Sequence, residues 1–234
     1  MAQELAKNGF DVIITYQSRS SDAESTINEI SSLGKKGYAL QLDVADSKGF
    51  DTFVSKLSSV LETEFNSRKL DALVNNAGIG YHISFAESTE EAFDNMFKIH
   101  LKAPFFLTQK LLPFFNDGSS IVNISSGLAR FSFPGYAAYA TMKGGVEVLS
   151  RYQAKELGER KIRVNTVAPG TIETDFGGGA VRDNQDLNVM ISSLTALSRV
   201  GLPDDIGSVV AFLCSDESKW VNAKRIEVSG GIFV

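Results

Sequence analysis

The 234-residue chain has a single cysteine, Cys214, and two histidines, His82 and His100. One cysteine excludes an intrachain disulfide and fits a reducing compartment. With no cysteine cluster and no paired histidines, no metal site is expected. Basic residues fall short of a nucleic-acid footprint: 23 Lys and Arg stand against 28 Asp and Glu, a formal charge of −5, with no basic stripe. Long hydrophobic runs are also lacking. The most apolar segment, APFFLTQKLLPFF, is broken by Gln109, Lys110 and Pro113 and is too short to span a bilayer. The first residues carry Glu4 and no apolar core, so they do not read as a signal peptide. These absences predict a cytoplasmic protein with neither membrane nor nucleic acid as partner.

What is present is ordinary for a globular protein, with 43% hydrophobic and 22% charged residues. No linker, repeat or charge block divides the chain, so residues 1–234 read as one domain. Apolar, β-branched runs occur at 11–16, 38–44, 70–78, 120–125, 162–170 and 225–231. Helical patterns lie between them, at 21–34, 47–65, 89–112, 137–157 and 204–214. Strands buried on both faces and alternating with helices predict an α/β fold. Its form is a three-layer, doubly wound parallel sheet of Rossmann type, with helices on both faces. The stretch TDFGGGAVRDNQD (174–186) reads as a mobile loop of the kind that covers a site. The opening MAQELAKNGFDVIITYQ is a helix feeding a buried strand, the second half of a βαβ unit with no strand before it.

Ligands of open parallel sheets bind beyond the carboxyl ends of the strands. Those ends carry Asn75-Asn76-Ala77-Gly78, Ser125-Ser126-Gly127 and Pro169-Gly170-Thr171. Any one could be an ordinary turn, but together they mark a candidate site. In YAAYATMKGG, Tyr139 and Lys143 stand four apart on a predicted helix and share a face. A free phenol, with a pKa of about 10, is a poor acid or base at neutral pH, and a nearby ammonium favours the phenolate. Tyr139 could then exchange a proton with a carbonyl or hydroxyl oxygen. Ser126, thirteen residues earlier at a strand end, could hydrogen-bond the same oxygen. No Gly-x-Ser-x-Gly elbow surrounds it, so a nucleophilic role has no support.

Asp43-Val44, Asn75-Asn76-Ala77-Gly78, Ser126, Tyr139-x-x-x-Lys143 and Pro169-Gly170, in this order and spacing, resemble the short-chain dehydrogenase/reductase family over essentially the whole chain. PGTIETD and RVGLPDDIGSVVAFLCSDES look like the branch containing 3-oxoacyl-carrier-protein reductases. The resemblance implies an NAD(P)H-dependent oxidoreductase acting on a carbonyl or alcohol substrate. It implies Tyr139 as acid/base, Lys143 lowering its pKa and bonding the nicotinamide ribose, and Ser126 orienting the carbonyl. Asp43 and Val44 would sit near the adenine. Asn75, Asn76, Ala77 and Gly78 would line the adenosine and ribose path. Pro169, Gly170, Ile172 and Thr174 would border the nicotinamide and phosphates. A homotetramer paired through the long helices is also implied.

There are departures from the family pattern. His100 occupies the position of the family's Asn, in KIHLKAPF, where the backbone carbonyl helps hold a relay water. Its imidazole could relay protons or merely pack. After the first visible strand stand Gln17, Ser18 and Arg19 in place of an acidic residue. Arg19 suits a 2′-phosphate, which favours NADP, with NAD the alternative. The Thr-Gly-x-x-x-Gly-x-Gly turn of the family is not found in these 234 residues. The expectation is therefore an N-terminally truncated form of the fold. Its sheet must close up, split or borrow a strand, with rearrangement near Met1 and Gly177, weak dinucleotide binding and little turnover. A non-catalytic relative used for assembly or binding is the competing reading.

Overall fold

A computed structural model describes residues 1–234. Six parallel strands form as the apolar runs predict: β1 (Val12–Tyr16), β2 (Gly37–Gln41), β3 (Leu70–Asn75), β4 (Phe115–Ile124), β5 (Arg163–Pro169) and β6 (Arg225–Val228). They do not make one sheet. β1 pairs only with β2, and a separate sheet runs β3-β4-β5-β6. Of the three outcomes open to the sheet, the structure shows the split. Accordingly β3, an edge strand, is only half buried, whereas β4 and β5 in the middle are almost wholly buried from Ser119 to Ala168.

The two sheets still share packing. Side chains alternate across each strand, so Ile121 and Val164 face one layer while Val122 and Val167 face the other. The first layer is α3 (Phe50–Phe65), α5 (Ala103–Leu111) and the end of α6 (Ala137–Glu156). Ile13 of β1 and Leu73 of β3 pack against that same cluster. Opposite lies α9 (Pro203–Cys214), with α1 (Ala2–Lys7) beside it. Leu5 and Phe10 touch both the α9 core and the small core of β1 and α2 (Ser20–Ser32), so the first helix bridges the split. A fully buried side chain such as Phe50 or Ile121 contributes about 1.5–3 kcal/mol of hydrophobic stabilisation, enough for packing to join sheets that no ladder connects.

Three expectations need correction. The segment around Met1 is a regular helix packed on α9, not a rearranged end. The predicted helix at 89–112 is broken into α4 (Glu90–Phe97), a π-type turn (Lys98–Lys102) and α5. Pro104 explains the break, because it has no N–H to return to the His100 carbonyl. The loop at 174–186 also carries structure: a short turn (Phe176–Gly179), α7 (Ala180–Asp183) and the start of α8 (Gln185–Ser193). Gly177, Gly178 and Gly179 all adopt positive φ, 65°, 77° and 77°, which only glycine does without strain.

Candidate active site

Strands run parallel within each sheet, so each sheet has one edge of carboxyl ends, and the Arg19–Asp175 ion pair joins the loop after β1 to the loop after β5. Ser126 follows β4 there in extended backbone, φ −158° and ψ 153°, and its Oγ accepts the Leu128 N–H at 3.2 Å. That bond occupies a lone pair and leaves the hydroxyl proton free to donate. On α6, Tyr139 and Lys143 are both buried, on the face turned to β4. The Tyr139 phenol lies near enough to Ser126 for the serine to pull its pKa down. Ser126, Tyr139 and Lys143 are therefore brought together.

Their electrostatics differ from expectation in one respect. Burial pushes the Tyr139 phenol up to about 12, against a downward pull from the nearby Ser126 hydroxyl. Lys143 does not sit on the hydroxyl. Its Nζ donates to the Ile124 carbonyl at 2.8 Å and lies 5.5 Å from the centroid of the Tyr139 ring. Burial lowers the Lys143 ammonium to about 8. The phenol is thus held protonated at neutral pH, with a cation over its ring that would favour the phenolate once a proton has left.

His100 is buried edge-on against Tyr139, ring centroids 5.2 Å apart. Its Nε2 lies 2.9 Å from the Ile79 carbonyl and 3.2 Å from the Ile79 N–H, while Nδ1 is buried without a partner. A Cβ at Gly78 would fall 2.7 Å from His100 Cε1, so the glycine is what lets the backbone pass the ring. Burial, with the Lys143 charge, lowers the imidazole to about 3. As pH falls, the unfolded chain takes up this proton first, so the stability the neutral ring contributes is complete above about 6.5 and is lost from there toward 3. Between about pH 7 and 5 the parent should lose about 2 kcal/mol more stability than His100→Asn. Denaturant unfolding at the two pH values measures this; equal losses would show the ring titrating normally.

The remaining predicted residues divide. Asn76, Ala77 and Gly78 lie exposed at the end of β3. Asn75 turns inward: its amide donates to Thr108 Oγ1 at 3.1 Å and Asn123 Oδ1 at 2.7 Å. Gln17 and Asp43 line one open groove, and Asp43 Oδ1 also accepts the Ala45 N–H at 2.9 Å, while Val44 packs on the core. Ser18 is exposed beside Arg19, whose guanidinium reaches Asp22 at 3.2 Å and Asp175 at 3.3 Å across the cleft. Pro169 ends β5. A Cβ at Gly170 would come within 2.8 Å of Ser229 Cα. Ile172 is bridged to Gly201, and Thr174 Oγ1 accepts the Phe176 N–H at 3.2 Å.

Sequence reasoning missed the aromatic surroundings. Phe176 lies 6.0 Å from the Tyr139 ring, and Tyr136 stacks edge-on with His82 at 5.0 Å and tilts toward Phe133 at 6.3 Å. Phe133 and Phe176 are exposed. The spacing of Tyr136 from Tyr139, one helical turn, was the available signal.

Strand-end glycines, a buried Tyr–Lys pair and Ser126 are thus gathered at the ends of β3, β4 and β5. Residues 1–232 match a family model described as "Enoyl-(Acyl carrier protein) reductase". The chain belongs to the short-chain dehydrogenase/reductase family. It is 34% identical to an uncharacterized oxidoreductase of Methylorubrum extorquens, over 99% of this chain and 91% of that protein. Among solved structures it resembles the promiscuous reductase LugOII, which catalyses keto-reduction at C1 during lugdunomycin biosynthesis, with a TM-score of 0.94, 34% identity, and coverage of 100% and 92% of the two chains. It also resembles the angucycline C-6 ketoreductase LanV with bound NADP, with a TM-score of 0.92, 31% identity, and coverage of 98% and 90%. LanV has been solved with rabelomycin as well. In this short-chain dehydrogenase/reductase chain the nicotinamide end of a dinucleotide site fits the residues present. Lys143 is buried beside Tyr139, and the backbone at Gly78 runs flush against His100, where a Cβ would intrude.

Proposed function

We propose that this chain is an NADPH-dependent ketoreductase, with Tyr139 as the proton donor. The observation that carries the reading is the buried Tyr139 with the Lys143 ammonium 5.5 Å from its ring centroid and Ser126 beside it at the end of β4. When bound, the nicotinamide supplies a hydride to the carbonyl carbon. Tyr139 supplies the proton to the oxygen, so C=O becomes CH–OH. Ser126 donates to that oxygen and stabilises the charge developing on it. Lys143 stabilises the phenolate left behind. His100, neutral over the working range, holds the Ile79 backbone and the face of Tyr139. Gly78, Asn76, Ala77 and Gly170 would border the cofactor, Ile172 and Thr174 would contact its nicotinamide side, and Arg19 would meet a 2′-phosphate in exchange for Asp175. The assembled Ser126–Tyr139–Lys143 set gives no support to a non-catalytic role.

The substrate is a ketone carried on a planar ring. Phe176 tilts against the Tyr139 ring, and Phe133 pairs with Tyr136 one turn away; these aromatic faces favour a ring among the carbonyl substrates the sequence left open. Each aromatic contact is worth about 0.5–1.5 kcal/mol, so two make about a tenfold preference. NADPH oxidation should therefore show kcat/KM for 1-tetralone at least about tenfold above that for cyclohexanone, and Phe133→Ala should reduce the margin. Equal values would remove the ring from the reading; no oxidation with any ketone while nicotinamide fluorescence shows NADPH bound would remove the reductase, whereas no binding would uphold the weak grip expected from the absent glycine turn. Exposed Phe105, Phe106, Val148 and Tyr152 on α5 and α6 suit burial between subunits of a homotetramer, and the reading is of a cytoplasmic enzyme.

A further inference from the structure

Behind Ser126 lies a chain of charges that the reaction above does not use. Tyr139, Lys143 and Glu147 follow at four-residue spacing along one face of α6. Glu147 Oε1 accepts the Ser125 hydroxyl at 2.7 Å and the Arg225 Nε–H at 2.7 Å. Arg225, on β6, donates a second time to Glu227 at 2.8 Å and a third time to the Ser126 carbonyl at 3.3 Å. Glu227 in turn takes a two-pronged contact from Arg130, 2.8 Å on each prong, and Arg130 lies just beyond the turn that follows Ser126. Arg130 also donates to the Ile232 carbonyl at 3.0 Å. Two carboxylates and two guanidiniums balance, and three of the four side chains are a quarter exposed or less.

The loop carrying Ser126 is thus tied on both sides to β6. Besides its backbone bonds, Ser125 N–H to the Val167 carbonyl at 2.7 Å and Ala129 N–H to the Ser126 carbonyl at 3.1 Å, three side chains hold it: Lys143 on the Ile124 carbonyl, Glu147 on the Ser125 hydroxyl, and Arg225 on the Ser126 carbonyl. Arg225 is the member that joins the last two, because one guanidinium plane serves Glu147 and Ser126 together. The fork geometry matters here, since a lysine ammonium offers a point charge and not a planar set of donors. We propose that Arg225 is a positioning residue for the reduction, holding the Ser125–Ser126 peptide through Glu147 and the Ser126 carbonyl so that the Ser126 hydroxyl meets Tyr139. The inference rests on the ketoreductase reading.

The test is a double-mutant cycle on kcat at saturating NADPH and ketone. Arg225→Met should lower kcat about tenfold, with KM for NADPH within about twofold, because a misplaced donor costs transition-state and not ground-state binding. Arg225→Lys should recover only part of the loss. If Arg225 acts through Ser126, then Arg225→Met in a Ser126→Ala background should cost less than about twofold more. The same cost in both backgrounds, or parent-like kcat for Arg225→Met, overturns the proposal; a lowered melting temperature alone marks a merely structural residue. Should Arg225→Met fail to fold, Glu147→Gln takes its place in the cycle with the same expectations. A crystal structure of the variant gives a readout that needs no turnover. Ser126 Oγ displaced from Tyr139 supports positioning even where the parent reduces no ketone and the reductase reading falls; an unmoved Ser126 sinks the positioning role while leaving that reading intact.

Discussion

Tyr139→Phe should lower kcat for ketone reduction about 10³-fold, within the range that a positioned general acid supplies, or about 4 kcal/mol of barrier. The substitution removes one oxygen from a ring that is otherwise fully packed among Met96, Met142 and Ile79, so the fold should be unaffected. It deletes the proposed proton donor and leaves the Ser126–Leu128 bond in place. Cofactor binding should remain measurable, because Lys143 keeps its anchor on the Ile124 carbonyl whether or not the phenol is present. Steady-state kinetics at saturating NADPH provide the check. Activity within tenfold of the parent would mean that another group donates the proton.

Ser126→Ala should cost about 10²-fold in kcat, the scale found for removing one donor aimed at a developing oxyanion. Its effect on KM should be small, since the hydroxyl matters most as charge builds on the oxygen. Two bonds are lost: the donor to the substrate oxygen, and the acceptor of the Leu128 N–H at 3.2 Å. The second loss makes a modest fall in stability, about 1 kcal/mol, an accompanying result. Initial rates together with thermal unfolding separate the two effects. A kcat unchanged within twofold would assign the serine to the turn alone.

The core of this site was legible because its chemistry is local. Tyr139 and Lys143 meet through helical spacing, and Ser126 lies where a buried strand must end. The six strands were equally legible, since runs such as SIVNIS and RVNTVAP are buried on both faces. What the sequence hid was long-range or conditional. The π-type turn depends on Pro104 removing one N–H from an otherwise continuous helical pattern, a single residue that hydrophobic periodicity does not register. The placement of Lys143 over the ring and not on the hydroxyl depends on the Ile124 carbonyl, which no spacing rule locates. Asn75 looked like a cleft residue from its position at a strand end, yet Thr108 and Asn123 satisfy its amide inside the fold. Arg19, placed by sequence at a 2′-phosphate, shares its charge with Asp175 from 156 residues away.

The split between β1 and β3 was foreseeable in kind but not in form. Sequence alone left closing, splitting and strand borrowing open. Packing decides among them here, because Leu5 and Phe10 reach both halves and Ile13 and Leu73 share a core. With the two halves held in place by this packing and by the Arg19–Asp175 ion pair, the strand ends of β3, β4 and β5 keep the site assembled.

The most direct measurement is isotope transfer. The protein is incubated with 1-tetralone and NADPH carrying deuterium at the nicotinamide C4, each hand tested in turn, and the alcohol is examined by mass spectrometry and NMR. The account predicts that one hand delivers its deuterium to the carbinol carbon, with one NADPH consumed per alcohol formed and the product lost in Tyr139→Phe. Alcohol without deuterium from either hand, or equal product from Tyr139→Phe, would contradict it.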